Sequence, residues 1–304
     1  MDTALTTQIT NFQTVISLAL DGLTSDHSRR AYEKALTNFL AWYTAEGKPG
    51  LSKATVQRYK TVLQESGLSP STINQRMSAI RKLVQEAADN GMVDQTIANG
   101  VARVKGVKSA GVRAGNWLTK AQAQKMIEAP DVTTLKGLRD RAILGVLLGA
   151  GLRRSEIAAL TFDHIQERDG RWVIVDLVGK GKRVRSVPIP SWTKAAIDEW
   201  AKAASIRTGC IFRAMHKGGY LDGETMTPQG VHDLVAHYSK ALGLTVAAHD
   251  LRRSYAKLAY KGGSGLDQIQ LSLGHASIKT TEGYLGVEQD LTDAPCDRLG
   301  LRLK

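Results

Sequence analysis

Two histidines, two arginines, a lysine and a tyrosine make up the part of this sequence best suited to chemistry. His249 and Arg252 stand three residues apart in AHDLRRSYAKLAY, so on a helix their side chains share one face. His275 follows in LSLGHASIKTTEGYLG, after a turn at Gly274–Ala276, and Tyr284 lies nine residues beyond it. An arginine offers a planar fork of donors to phosphate oxygens, and a histidine moves protons near neutral pH. With a tyrosine nearby, the set describes a site for a phosphate and a nucleophile. Each piece alone is equally compatible with a solvated helix face, a surface turn or a packed ring. The weight therefore rests on the rest of the chain.

Composition points to a polyanionic partner. Lys and Arg number 41 against 29 Asp and Glu, a formal charge of +12. Residues 1–110 carry 13 basic and 9 acidic side chains and the remainder 28 and 20, so the excess is not a tail. Basic surface spread over both halves fits nucleic acid. The two cysteines, Cys210 and Cys296, have neither a disulfide framework nor metal-ligand spacing, which is consistent with a reducing cytoplasm. The N-terminus lacks the pattern of a signal peptide. The most apolar run, Ala142 to Leu152, is too short for a bilayer, which takes about 20 residues, and reads as a buried helix.

At 304 residues the chain is expected to hold two domains. Residues 1–100 read as helical. Ser25 precedes RRAYEKALTNFLAWYTAEG, where Tyr32, Leu36, Phe39, Leu40 and Tyr43 recur at helical spacing. Ser52 opens a second helix, and Ser69-Pro70 opens a third that ends at Asn90-Gly91. On the third, Ile73, Met77, Ile80 and Val84 form a stripe from which Arg76, Arg81 and Lys82 are turned away, free for phosphate contacts. Residues 101–116 are rich in Gly, Val and basic residues and read as a linker. From Trp117 onward, helices resume, with Thr119 as a cap and KGLRDRAILGVLLGAG as a core helix. RWVIVDLV and RVRSVPIP are strand-like runs around Gly179-Lys180-Gly181-Lys182, a hairpin signal. The expectation is a mainly α chain with a small antiparallel β-sheet. GKGK is not a nucleotide phosphate loop, and no carboxylate cluster suggests a metal.

Five segments then appear together and in order: GLRRSEIAAL at 151–160, GKGKRVRSVPI at 179–189, HDLRRSYA at 249–256, LGH at 273–275, and Tyr284. In order and spacing they resemble the tyrosine recombinases, the phage integrase and Xer-like site-specific recombinases. The helical N-terminal part resembles their SAM-like core-binding domain, so the likeness covers nearly the whole chain. It implies a DNA-binding domain at 1–100, a linker at 101–116 and a catalytic domain at 117–304.

The resemblance also implies roles. Arg153 and Arg252 clamp the oxygens of a scissile phosphate, and charge developing on it is stabilised by these fixed cations. Lys180 is the general acid for the departing 5′ oxygen, with Lys182 as its rival. His249 assists proton transfer, and His275 donates a hydrogen bond. Tyr284 attacks phosphorus to give a covalent 3′-phosphotyrosine. Glu156 matches an acidic position that orients its neighbours. The implied partner is double-stranded DNA, held by a homotetramer on two sites, with no cofactor, no metal and no membrane. Two other readings stay open here: a type IB topoisomerase-like enzyme that relaxes DNA, and an inactive DNA-binding regulator.

Overall fold

A computed structural model describes residues 12–108, 116–179 and 183–286. The chain divides into two compact units, residues 1–113 and 114–304. Helices dominate both.

The first unit holds α1 (Phe12–Asp21), α2 (Asp26–Ala45), α3 (Lys53–Glu65), α4 (Pro70–Asp89) and α5 (Gln95–Ala102). Local chemistry sets the starts of these helices. The Ser52 hydroxyl accepts from Thr55 N–H and the Ser69 hydroxyl from Thr72 N–H, while Pro70 occupies the first turn of α4, where its missing N–H costs nothing. The α4 stripe is buried as its spacing predicts, with Ile73, Met77, Ile80 and Val84 meeting Leu36, Phe39 and Tyr43 of α2 and Val56, Tyr59 and Leu63 of α3. The Phe39 and Tyr59 rings pack edge to face at 5.1 Å.

The three cations turned away from that stripe are engaged within the unit, Arg76 with the Tyr59 hydroxyl. Arg81 donates to the Val104 carbonyl, and Lys82 pairs with Glu86 at 2.8 Å. Residues 104–107, linker by composition, pack onto this unit. Val104 is buried, and Asn74 both donates to the Val107 carbonyl and accepts from its N–H. α1 and α5 are shorter, and α5 is capped by Asp94, whose carboxylate accepts from the Thr96 N–H at 2.7 Å. They form because Val15, Ile16 and Ala19, and Ala98 and Val101, complete the same core.

The second unit is built round α7 (Leu135–Ala150), which follows α6 (Lys120–Glu128). Nearly every residue of α7 from Ala142 to Ala150 is fully buried, so it packs on all sides, as a helix apolar all round must. It is surrounded by α6, α8 (Arg154–Ala158), α9 (Ser191–Ala203), α10 (Pro228–Ala241) and α11 (Ala248–Lys261). Each fully buried Leu or Ile contributes roughly 1.5–3 kcal/mol of transfer free energy, so this helix anchors the unit. α6 starts with a capping box, in which Thr119 accepts from Gln122 N–H and Gln122 accepts from Thr119 N–H.

Three antiparallel strands in sequential order, β1 (Ile165–Arg168), β2 (Arg171–Val178) and β3 (Val184–Pro188), form the sheet. β2 and β3 are the expected hairpin, with Val178 opposite Val184. The turn from 180 to 182 lies outside the described residues. A short ribbon of β4 (Ala214–Met215) and β5 (Leu221–Asp222) precedes α10. After α11 come α12 (Leu266–Leu273) and α13 (Ile278–Leu285), and α13 carries Tyr284 as a helix of its own. Among the described residues, no helix is long and apolar enough to cross a membrane.

Candidate active site

Arg153 stands immediately before α8, where α7 ends. The join is made by Gly151, whose left-handed backbone (φ 60°) closes α7 and lets the chain turn within two residues. A side chain there would also run into the ring of Tyr255. The sequence GLR is therefore a geometric unit, in which the glycine ends the core helix and the arginine leaves it at a fixed point.

α11 supplies Arg252 from its buried face. The side chain is 1 % exposed, yet it does not lack partners. Its Nη1 donates to the Gly151 carbonyl at 2.5 Å, and its Nη2 donates to the Leu273 carbonyl. Arg153 Nη2 reaches the same Leu273 carbonyl at 3.4 Å. A third guanidinium, Arg185 of β3, donates through Nε to the Ser272 carbonyl at 2.9 Å. Three arginines from three elements thus converge on the last turn of α12, where the orphan carbonyls and the negative end of the helix dipole favour cations. Gly274 follows, with φ 62°, and a Cβ there would come within 2.9 Å of the Arg185 side chain. His275 leaves the cluster at that point.

One carboxylate balances the three cations. Glu156 takes two hydrogen bonds from Arg185, at 2.9 and 2.8 Å, one from Arg153 Nη1 at 2.7 Å and one from the Arg153 backbone N–H at 2.8 Å. Burial by itself would raise its pKa. The bonds from Arg185 and Arg153 and the Arg185 charge overcome that effect and hold the carboxyl at about 2. Arg252 is lowered to about 10 by burial and then by the charge of Arg153, and so remains a cation at neutral pH. The cluster keeps a net positive charge, as an anion site requires.

Tyr284 lies half-buried beside it. The rings of His249 and His275 both meet the phenol ring edge to face, at 5.7 and 5.3 Å. Its hydroxyl is directed to the His249 carbonyl at 3.4 Å. Burial raises the phenol pKa, opposed by the charges of Arg252 and Arg253. His275 drops to about 4 through burial, then through Arg252 and Arg153, and its Nδ1 lies 3.0 Å from the Thr281 hydroxyl. His249 is lowered too, by burial first and then by Arg252 and Arg253. Both imidazoles are neutral at pH 7.

Of the six residues singled out from the sequence, Arg153, His249, Arg252, His275 and Tyr284 meet in this one place. Lys180, like its rival Lys182, lies outside the described residues. Arg185 and Arg253 belong to the cluster and were not singled out. A signal for Arg185 existed: strand alternation puts it on the same side of β3 as Val187, which is buried. Nothing local distinguishes Arg253 from a solvated arginine. Among the described residues, no group of His, Cys, Asp and Glu could hold a metal ion.

Comparison with known proteins agrees with this geometry. The phage integrase family matches residues 116–290, and the phage integrase N-terminal SAM-like domain matches residues 15–91. The chain is 28% identical over 290 residues to the tyrosine recombinase XerC of Thermodesulfovibrio yellowstonii, covering 92% of this chain and 91% of that one. It is 27% identical over 268 residues to XerD of Pseudomonas aeruginosa, covering 86% of each. In fold it is similar to the XerH site-specific recombinase bound to palindromic difH substrate, with TM-score 0.70, 21% identity and coverage of 85% of this chain and 76% of that one. A lambda integrase dimer bound to a COC′ core site gives TM-score 0.69 at 17% identity, covering 92% and 78%. All of these relatives are recombinases, which favours recombination over the topoisomerase-like and regulator readings. With a match that spans more than half of its length, the chain belongs to the phage integrase family of tyrosine recombinases, enzymes of site-specific DNA cleavage and religation.

Proposed function

We propose that Tyr284 is the nucleophile of this recombinase and that Arg153, Lys180, His249, Arg252 and His275 are its catalytic partners. A DNA phosphodiester sits over Arg153 and Arg252, whose guanidiniums face its non-bridging oxygens and stabilise the charge of the transition state. The Tyr284 oxygen bonds to phosphorus as the bond to the 5′ oxygen breaks. His249, neutral at pH 7, takes the phenol proton, and Lys180 gives a proton to the 5′ oxygen. In the Nε2–H tautomer of His275, Nδ1 accepts from the Thr281 hydroxyl 3.0 Å away and the Nε2–H donates to the phosphate. The product is a 3′-phosphotyrosine and a free 5′-hydroxyl. Attack by a 5′-hydroxyl from another strand reverses the chemistry and rejoins the DNA.

The observation that carries this reading is the convergence on Tyr284 of two neutral imidazoles, beside two arginines that share one helix-end carbonyl. No other described tyrosine has such surroundings. Tyr238 is buried and donates to Asp140 at 3.0 Å, and Tyr255 packs against Gly151.

The partner is double-stranded DNA. Residues 1–100 grip it as the core-binding domain, 101–116 link, and 117–304 cut. Four copies act on two sites, in the cytoplasm. The test is a duplex nicked near the cleavage point, incubated in EDTA without nucleotide. Wild-type protein is expected to form a covalent 3′ adduct mapping to the Tyr284 peptide. Tyr284→Phe keeps the ring and is expected to bind the same duplex while forming no adduct. An adduct that persists in Tyr284→Phe, or one that requires added magnesium, would overturn the assignment.

A further inference from the structure

Arg252 and Arg253 are adjacent on α11 and do different things. Successive residues on a helix are turned about 100° apart, so the second arginine cannot follow the first into the buried carbonyl cluster. Arg253 lies instead over the ring of Tyr284, with its guanidinium carbon 5.0 Å from the ring centroid. Asp250 holds it from one turn earlier, with Nη1 to Oδ1 at 3.3 Å. Asp250 is itself fixed, because its other oxygen accepts from the Ala247 N–H at the start of α11, at 3.0 Å. The Tyr284 ring is thus bracketed on three sides. His249 and His275 meet it edge to face, and Arg253 lies over it.

We propose that Arg253 is a positioning residue for Tyr284: its guanidinium holds the ring against α11 and stabilises the phenolate character that develops as the hydroxyl attacks phosphorus. The inference rests on the reading of Tyr284 as nucleophile. A cation over an aromatic ring is attracted by the negative charge of its face, and that charge grows as the phenol gives up its proton. Arg252 is not free to do this alone. Its donors are committed to the Gly151 and Leu273 carbonyls and, in the proposed mechanism, to the phosphate. Among the described residues Arg253 makes no such bond to a helix-end carbonyl, and the Asp250 carboxylate keeps it aimed at the ring.

Among the described residues, the charged and titratable groups that act on the phenol come from three places. From α11 they are His249, Asp250, Arg252 and Arg253; from the turn before α8, Arg153; and from the turn before α13, His275. The two histidines are neutral at pH 7. Asp250 opposes phenolate formation, and the three arginines favour it. Arg253 both offsets Asp250 and uses it as an anchor.

The test is single-turnover cleavage of the nicked duplex by full-length protein, from pH 6 to pH 9.5. Arg253→Gln is expected to slow adduct formation by about tenfold at pH 7. The deficit shrinks as pH rises, because the rising limb moves up by about one pH unit, the equivalent of tenfold. Arg253→Lys, which keeps the charge, is expected to recover most of the rate. Replacing Tyr284 with 3-fluorotyrosine, a more acidic phenol, is expected to speed the Gln variant more than it speeds the wild type. If the Gln variant does not fold, the fluorotyrosine comparison is made in Arg253→Lys, where a smaller differential gain is expected. A loss that is uniform across pH, a variant with wild-type kinetics, or an equal effect of fluorotyrosine in both backgrounds would overturn the proposal. Failure of the underlying reading looks different: the wild-type adduct itself would map to a residue other than Tyr284.

Discussion

The Arg185 guanidinium and the Glu156 carboxylate face each other in a two-bond pair, at 2.9 and 2.8 Å, with both side chains under a tenth exposed. The pair joins β3 to the start of α8, and Glu156 passes the constraint to Arg153 through two further bonds. Arg185 also reaches the end of α12. A residue outside the proposed chemistry therefore touches the supports of Arg153, His275 and the hairpin that carries Lys180.

Removing one partner strands a buried charge. Glu156→Ala is expected to lower stability by about 3–5 kcal/mol, the usual cost of breaking a buried pair from one side. Urea unfolding of the full chain, followed by tryptophan fluorescence, measures it. Replacing both Glu156 and Arg185 with apolar residues is expected to cost less than the two single changes added together, because residues in one network couple. Strict additivity would mean that the pair is not the structural unit described.

Lys180 is tested by changing the leaving group. Lys180→Ala is expected to slow cleavage of ordinary DNA by roughly 10²–10⁴-fold, the range for a positioned general acid. A 5′-bridging phosphorothiolate, whose sulfur leaves without a proton, is expected to restore most of that rate. Lys182→Ala is expected to behave as wild type on both substrates. The opposite pattern would move the acid to Lys182.

The histidines set a pH signature. His275 is depressed to about 4 in the folded chain, against an ordinary imidazole value near 6.5. The folded state therefore binds fewer protons than the unfolded state between those values, and stability falls as pH drops through that window. Glu156, also depressed, adds a second loss, since its contribution is present above the ordinary carboxyl range and disappears as pH falls towards 2. NMR titration of labelled imidazoles is expected to find His275 near 4 in the free protein. Binding of a phosphate anion is expected to raise it, because the anion offsets the arginines. A titration near 6.5 without ligand would contradict the burial described for the ring.

The proposed tetramer has its own test. Truncation after Gly286 removes VEQDLTDAPCDRLGLRLK, a segment with five Val and Leu side chains and too short to form a core. The truncated protein is expected to bind one DNA site with an affinity close to that of the full chain and to fail to pair two sites in a native gel. Normal recombination by the truncated protein would exclude a role for that segment in assembly.

The sequence by itself determined what depends on neighbours one or two turns away. The caps at Ser52, Ser69 and Thr119, the α4 stripe, the β2–β3 hairpin and the common face of His249 and Arg252 are all set within a few residues, by backbone donors and side-chain periodicity. The tertiary structure alone decided which groups meet. Arg252 reaches Gly151, 101 residues away in sequence, and Arg185 reaches Ser272, 87 away. Arg253 has the composition of a surface cation and becomes a ring contact only once α13 packs beside α11. α13 itself is eight residues long, too short to hold as an isolated helix, so its existence follows from the burial of Thr281 and Leu285. These contacts form because α7, buried on nearly every side, brings α8 and α11 together, and no periodicity within a single segment encodes that meeting.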